Sequence, residues 1–448
     1  MVVNFLFDEY QDNGEPWWNV SLFSLSKLKK YDLYPRCFYW SHASIIETLT
    51  YNNTNGISEN QIKFRETLKH EFVDGELNIY PLFISDKSFA RPEQILWIPE
   101  YVVEKINQGL VYLMITNFFE TDFIIPEQFI LTINEFLSSI GITNYKNVKI
   151  VGNDFISDKF INNSPVNTFN IQYINSYTFE KFYVKRLTEL NTHFTISDHI
   201  DHKNKKNTFL MQIGSPRSFR YLMYKVLEYG GVLDNAIYSY MPFNRGIHTD
   251  GIEYDHFDRY KNQLFYGEKT TIHEDLQKEH LTDFRVWLEN NDKIESRTLP
   301  NCRLNHDNVY NTSPYTDLNW IKETYFSVVI ETQVSNYNSF ITEKTFKSIF
   351  NGHPFILFAS PGALSELHKL GYETFPELFD ESYDEIYQTY DRMFFIMNQI
   401  KKWTLPENKT ELESIIESIK PKLIRNRELY LTKDHSLFWN KFINENGG

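Results

Sequence analysis

Six short apolar runs alternate with amphipathic stretches along this chain, and that alternation limits its fold more than any other feature. The runs are 2–7, 110–116, 148–152, 208–213, 325–331 and 355–358. Each is nearly continuous in apolar residues, the pattern of a strand covered on both faces. Between and after them, 127–140, 218–229, 343–350, 362–370 and 383–401 carry apolar residues at helical spacing. Strands that alternate with helices build βαβ units around a mostly parallel sheet. The expected fold class is α/β.

A chain of 448 residues exceeds what one core supports, so two α/β blocks are expected. The polar stretch 196–207, SDHIDHKNKKNT, reads as the linker or edge between them. The expected domains are 1–195 and 206–425, with a C-terminal helix, 426–448, packing back toward the first domain. Residues 241–310 are rich in Asp, His, Asn and Tyr and weakly periodic, and read as irregular loops. The tail Glu411–Asn444 reads as largely helical. Cys37 and Cys302 give no disulfide framework, and the start has no basic-then-apolar leader. No apolar run reaches the roughly 18 residues of a membrane span. A cytoplasmic protein with no membrane span is expected. The net charge of −14 works against nonspecific contact with nucleic acid or anionic lipid. The basic stretch of Lys203, Lys205 and Lys206 is too short to reverse that.

Three places have the residues for anion chemistry. In GSPRSFR, 214–220, Gly214 and Pro216 turn the chain straight after a strand, and Arg217 and Arg220 sit about one turn apart at a helix start. That suits a diphosphate, although a solvated helix start would read the same. In ITEK, 341–344, Thr342 is the expected N-cap, with Glu343 and Lys344 in the first turn. A lysine there opposes the helix dipole, so an anion is expected beside it. Glu331 closes the preceding strand, and it and Gly214 are expected among the binding residues with Arg217, Arg220, Glu343 and Lys344. After the strand 355–358, Ser360, Gly362 and the next helix's first amides form a second candidate anion site.

The order FSxxIE, polar loop, ITEK, helix and apolar strand resembles the donor-site motif of α1,3-fucosyltransferases and related GT-B glycosyltransferases of phage and virus type. The likeness spans about residues 206–400 and is densest over 325–362. It implies two Rossmann-like domains facing each other across a cleft, with a nucleotide sugar as substrate. Carried over, Glu343 holds the ribose, Lys344 the phosphates, and Arg217 or Arg220 the diphosphate. Thr332 stands where the family has Asn, and Phe340 where it has Tyr, so a GDP- or UDP-sugar both stay open. The host cytoplasm is implied if the source is viral.

The resemblance implies metal-independent, inverting transfer to a glycan or modified-base hydroxyl. The chain has no Asp-x-Asp, and His248, Asp250, Glu253, Asp255, His256 and Asp258 read as a polar loop rather than a metal site. A general base is expected after first-domain strands: Glu120 foremost, then Asp122 and Asp8, with Glu9 and His42 as further candidates. Trp17, Trp18, Tyr39, Trp40, Trp97 and Tyr101 serve either as stacking surfaces or as core. Alternatives are a phage-type transferase acting on hydroxymethylpyrimidines in DNA, which the negative charge disfavours, and a non-catalytic nucleotide- or sugar-binding module.

Overall fold

The structure, a computed structural model, describes residues 2–7, 62–66, 70–84, 98–117, 126–152, 161–175, 204–213, 218–240, 281–291, 318–331, 334, 341–433 and 442. Two compact units divide the chain. One comprises Met1–Phe182, Tyr337–Phe340 and Lys433–Gly448; the other comprises Tyr183–Asn336 and Ile341–Thr432.

The first unit has strands β1 (Val3–Phe7), β2 (Ile62–Glu66), β3 (Leu77–Ile84), β4 (Tyr112–Asn117), β5 (Val148–Gly152) and β6 (Gln172–Asn175), with helices α1 (Glu100–Asn107) and α2 (Pro126–Ser139). All six strands run parallel in the order β2-β1-β3-β4-β5-β6. Leu113, Ile115 and Ile150 of the sheet pack with Val102 and Ile106 of α1 and Ile130, Ile133 and Leu137 of α2. The side-chain amide nitrogen of buried Asn4 of β1 donates to Glu76 Oε2 at 2.7 Å and to Asn78 Oδ1 at 2.9 Å. Within this unit Phe442 also meets Tyr112 edge-on, with centroids 5.4 Å apart.

The second unit runs β7 (Asn207–Ile213), α3 (Ser218–Tyr229), β8 (Ala236–Tyr240), α4 (Thr282–Asn290), α5 (Leu318–Glu323), β9 (Thr324–Ile330), α6 (Glu343–Phe350), β10 (Phe355–Phe358), α7 (Ala363–Lys369), α8 (Thr389–Thr404) and α9 (Lys409–Thr432). Its four strands are also parallel, in the order β10-β9-β7-β8. Every residue of β9 is buried, as expected of a central strand covered on both faces.

The molecule is thus α/β with two parallel sheets. Four strands, β2, β3, β6 and β8, lie outside the apolar runs. Three of them, β2, β6 and β8, are sheet edges, and an edge strand can carry polar residues such as those of IKFRE. The fourth, β3, is central but is interrupted by Asn78 and Pro81. Helix α4 lies within the stretch expected to be irregular loops, and α9 runs unbroken through residues 425 and 426. Lys205 is not part of a solvated linker. It is buried, and its Nζ donates to Ile321 O at 2.9 Å and Thr324 O at 2.8 Å, closing the end of α5.

Phe326, fully buried, stacks on Phe209 at 6.0 Å and meets Phe379 edge-on at 5.1 Å. Phe326→Ala is expected to cost about 3–5 kcal/mol. The checks are a lower urea midpoint and faster hydrogen exchange in β7 and β9, with β4 and β5 unchanged. An unmoved midpoint would contradict this account of the second core.

Candidate functional site

In the second sheet the chain leaves β7 toward β8, then returns past β7 to β9 and β10. Crossovers between parallel strands are right-handed. The α3 and α6 crossovers run in opposite directions, so the two helices cover opposite faces. The order reverses between β7 and β9, and open α/β sheets bind ligands beyond the carboxyl ends of such a pair.

Glu331 follows β9 directly and is fully buried. Its amide donates to Phe358 O of β10 at 2.9 Å. Its Oε1 accepts from Thr342 N at 3.0 Å and from Thr345 Oγ1 at 2.6 Å, and its Oε2 accepts from Thr342 Oγ1 at 2.5 Å. The carboxylate therefore fixes the first turn of α6 against the end of β9. Thr342 is the N-cap, its side chain accepting from Lys344 N at 3.4 Å. Sequence and structure agree on that cap.

Lys344 Nζ donates to Thr342 Oγ1 and to Glu343 Oε1, each at 2.9 Å, and lies 4.0 Å from Glu331 Oε2. The anion expected beside this first-turn lysine is thus supplied by the chain's own Glu331 and Glu343. Glu343 itself is buried. Burial pushes its pKa up, but Lys344, then Lys347 and Arg220, outweigh that and hold it down at about 2. Arg220, buried on α3, and Lys344 and Lys347, on α6, therefore act on one carboxylate from two helices. Lys344 also lies within ion-pair distance of Glu331, so this lysine links the two buried carboxylates.

Lys347 lies 3.5 Å from Gln212 Oε1 of β7. Gln212, Lys344, Lys347 and Ser348 line one small pocket over β7 and β9. Lys347, Gln212 and Thr345 were not picked out from the sequence. Spacing gave a signal for Lys347 alone, since it follows Lys344 by three residues on one helical face.

The second candidate anion site is overturned. Asp384 fills the start of α7 from within: its Oδ2 accepts from Leu364 N at 3.0 Å, and its backbone oxygen accepts from Gly362 N at 2.9 Å. Burial raises the Asp384 pKa to about 6 against these amides and nearby Arg392. Arg392 is buried over the Phe358 ring and donates through Nη2 to Val334 O at 2.7 Å and through Nη1 to Ile386 O.

Asp8, Glu9, His42, Glu120, Asp122, Gly214, Arg217, the span 248–258, both cysteines, and Trp17, Trp18, Tyr39, Trp40 and Trp97 lie outside the described residues. Tyr101 packs against the first core. Among the described residues no three His, Cys, Asp or Glu side chains gather as a metal-holding group, and no helix is long and apolar enough to cross a membrane. Compared with known proteins, the chain matches no family model and no curated protein sequence.

The depressed Glu343 pKa has a signed consequence for stability. The folded value, about 2, lies below the ordinary 4.5, so the stabilisation is complete above about 4.5 and is lost as pH falls toward 2. Glu343→Gln is expected to flatten that part of the acid-unfolding profile. An identical profile in the variant would refute the ion cluster.

Proposed function

We propose that the chain is a glycosyltransferase of GT-B type that takes its sugar from a nucleoside-diphosphate donor. The observation that carries this reading is the convergence of Arg220, Glu343, Lys344 and Lys347 at the strand-order reversal of a parallel sheet. Gly214 and Arg217 lie in the sequence between β7 and α3, the helix that carries Arg220. The donor-motif resemblance of 325–362 supports the same reading.

Transfer breaks the bond between the sugar and the diphosphate, and negative charge grows on the leaving oxygen. Arg220 and Lys344 are the cations that would stabilise it, with the α6 start contributing its dipole. Glu343, held ionised, has the acceptor capacity for ribose hydroxyls. The acceptor is a glycan or modified-base hydroxyl, whose proton passes to a carboxylate. Glu120 is the first choice for that base, ahead of Asp122 and Asp8.

A second reading has its own observation: Lys344 is already matched by Glu343 and Glu331. On that reading the cluster is a structural ion network without turnover. Thermal unfolding with GDP, UDP, CDP and dTDP separates the two. A nucleotide at 100 times its Kd adds about 2.7 kcal/mol, a shift of several degrees. One nucleotide is expected to give that shift and Lys344→Ala to abolish it, with sugar transfer from the matching donor. No shift with any of the four would favour the ion network.

A further inference from the structure

We infer that Glu331 is a positioning residue for the Lys344 ammonium and acts through the Thr342 hydroxyl. A hydroxyl has one proton to donate and two lone pairs to accept with. Thr342 Oγ1 uses all three. It donates to Glu331 Oε2 at 2.5 Å, and it accepts from Lys344 N at 3.4 Å and from Lys344 Nζ at 2.9 Å. The direction of the first bond decides the other two. Because the carboxylate can only accept, the hydroxyl proton must point to it, and the lone pairs then turn toward Lys344.

The surroundings leave this carboxylate no other orientation. It has no solvent exposure, and its second oxygen is held by Thr342 N and Thr345 Oγ1. Its own amide is tied to β10. A continuous chain of hydrogen bonds thus runs from β10 through Glu331 and Thr342 to the Lys344 ammonium. The Lys344 side chain is 22% exposed. The bearing of this on ligand binding rests on the reading above, in which Lys344 meets the diphosphate; the geometry itself does not.

The conservative variants separate positioning from bulk. Thr342→Val keeps the shape and removes the hydroxyl. Thr342→Ser keeps the hydroxyl. Glu331→Gln keeps the shape but puts a donor where the hydroxyl must donate. Amine labelling with acetic anhydride, read by peptide mass spectrometry, needs no ligand. Lys344 is expected to react several-fold faster in Thr342→Val and Glu331→Gln than in the wild type, and at the wild-type rate in Thr342→Ser. Lys347 serves as the internal control, with one rate throughout. A wild-type Lys344 rate in Thr342→Val, or a fast rate in Thr342→Ser, would overturn the inference.

Nucleotide binding gives the second readout. Thr342→Val is expected to weaken the preferred nucleoside diphosphate about tenfold in the wild-type background and not at all in Lys344→Ala. Equal weakening in both backgrounds would also overturn the inference. If the wild type binds no nucleotide, the proposed function fails, and the labelling rates still decide the role of Glu331.

Discussion

The parallel pairing of β7 with β9 is the constraint on which the second unit depends. Phe209 lies beside Phe326, Leu210 beside Ser327 and Met211 beside Val328. The crossovers to β8 and to β10 start from this pair in opposite directions. One face of the pair is closed by aromatic packing around Phe326. The other carries Leu210 against Trp320 and Ile321 of α5. Because side chains alternate along a strand, Ser327, Val329 and Glu331 share that second face. The acid at the end of β9 therefore emerges beneath α6 rather than on the aromatic side.

Burying charge is costly unless each group is paired and hydrogen-bonded, and this unit meets that condition repeatedly. Lys205 is met by two carbonyls at the end of α5. Arg392 is met by two more, and burial lowers its pKa only to about 10, so it keeps its charge at neutral pH. His353, buried between β9 and β10, places Nε2 3.1 Å from Thr324 O and Nδ1 2.7 Å from Ser327 Oγ. A carbonyl only accepts, so Nε2 bears a proton, and in the neutral ring Nδ1 then accepts from the serine. These groups fix backbone that the apolar core does not reach.

The sequence showed the central strands other than β3 clearly, because burial on both faces forces a continuous apolar run, which Asn78 and Pro81 interrupt in β3. It also showed the α6 cap, because Thr342 stands directly before the first helical turn. Three of the four edge strands, β2, β6 and β8, were hidden, since one open edge relaxes the need for apolar residues, whereas the fully buried edge β10 was legible as an apolar run. Glu331, Glu343 and Lys344 were picked out as one strand–loop–helix unit, but their pairing with one another was hidden for another reason. An acid one residue away and another thirteen residues back look unremarkable along the chain. Only the return of the loop to the end of β9 brings Glu331 to Thr342. Asp384 is harder still, lying twenty residues beyond the amide it caps.

The two helix starts of this unit show why similar local sequences do different work. At α7 the carboxylate of Asp384 accepts from the backbone amide itself, so the place an external anion would take is filled. At α6 the amide of Lys344 is met by a neutral hydroxyl, and the carboxylates nearby are balanced by cations. Replacing an internal acceptor at α7 would leave a buried carboxylate stranded. At α6 Glu343 is held by cations from two helices, Lys344 and Lys347 on α6 and Arg220 on α3. The two starts therefore differ in what meets their first amides, a carboxylate at α7 and a hydroxyl at α6, and not in the helix dipole common to both.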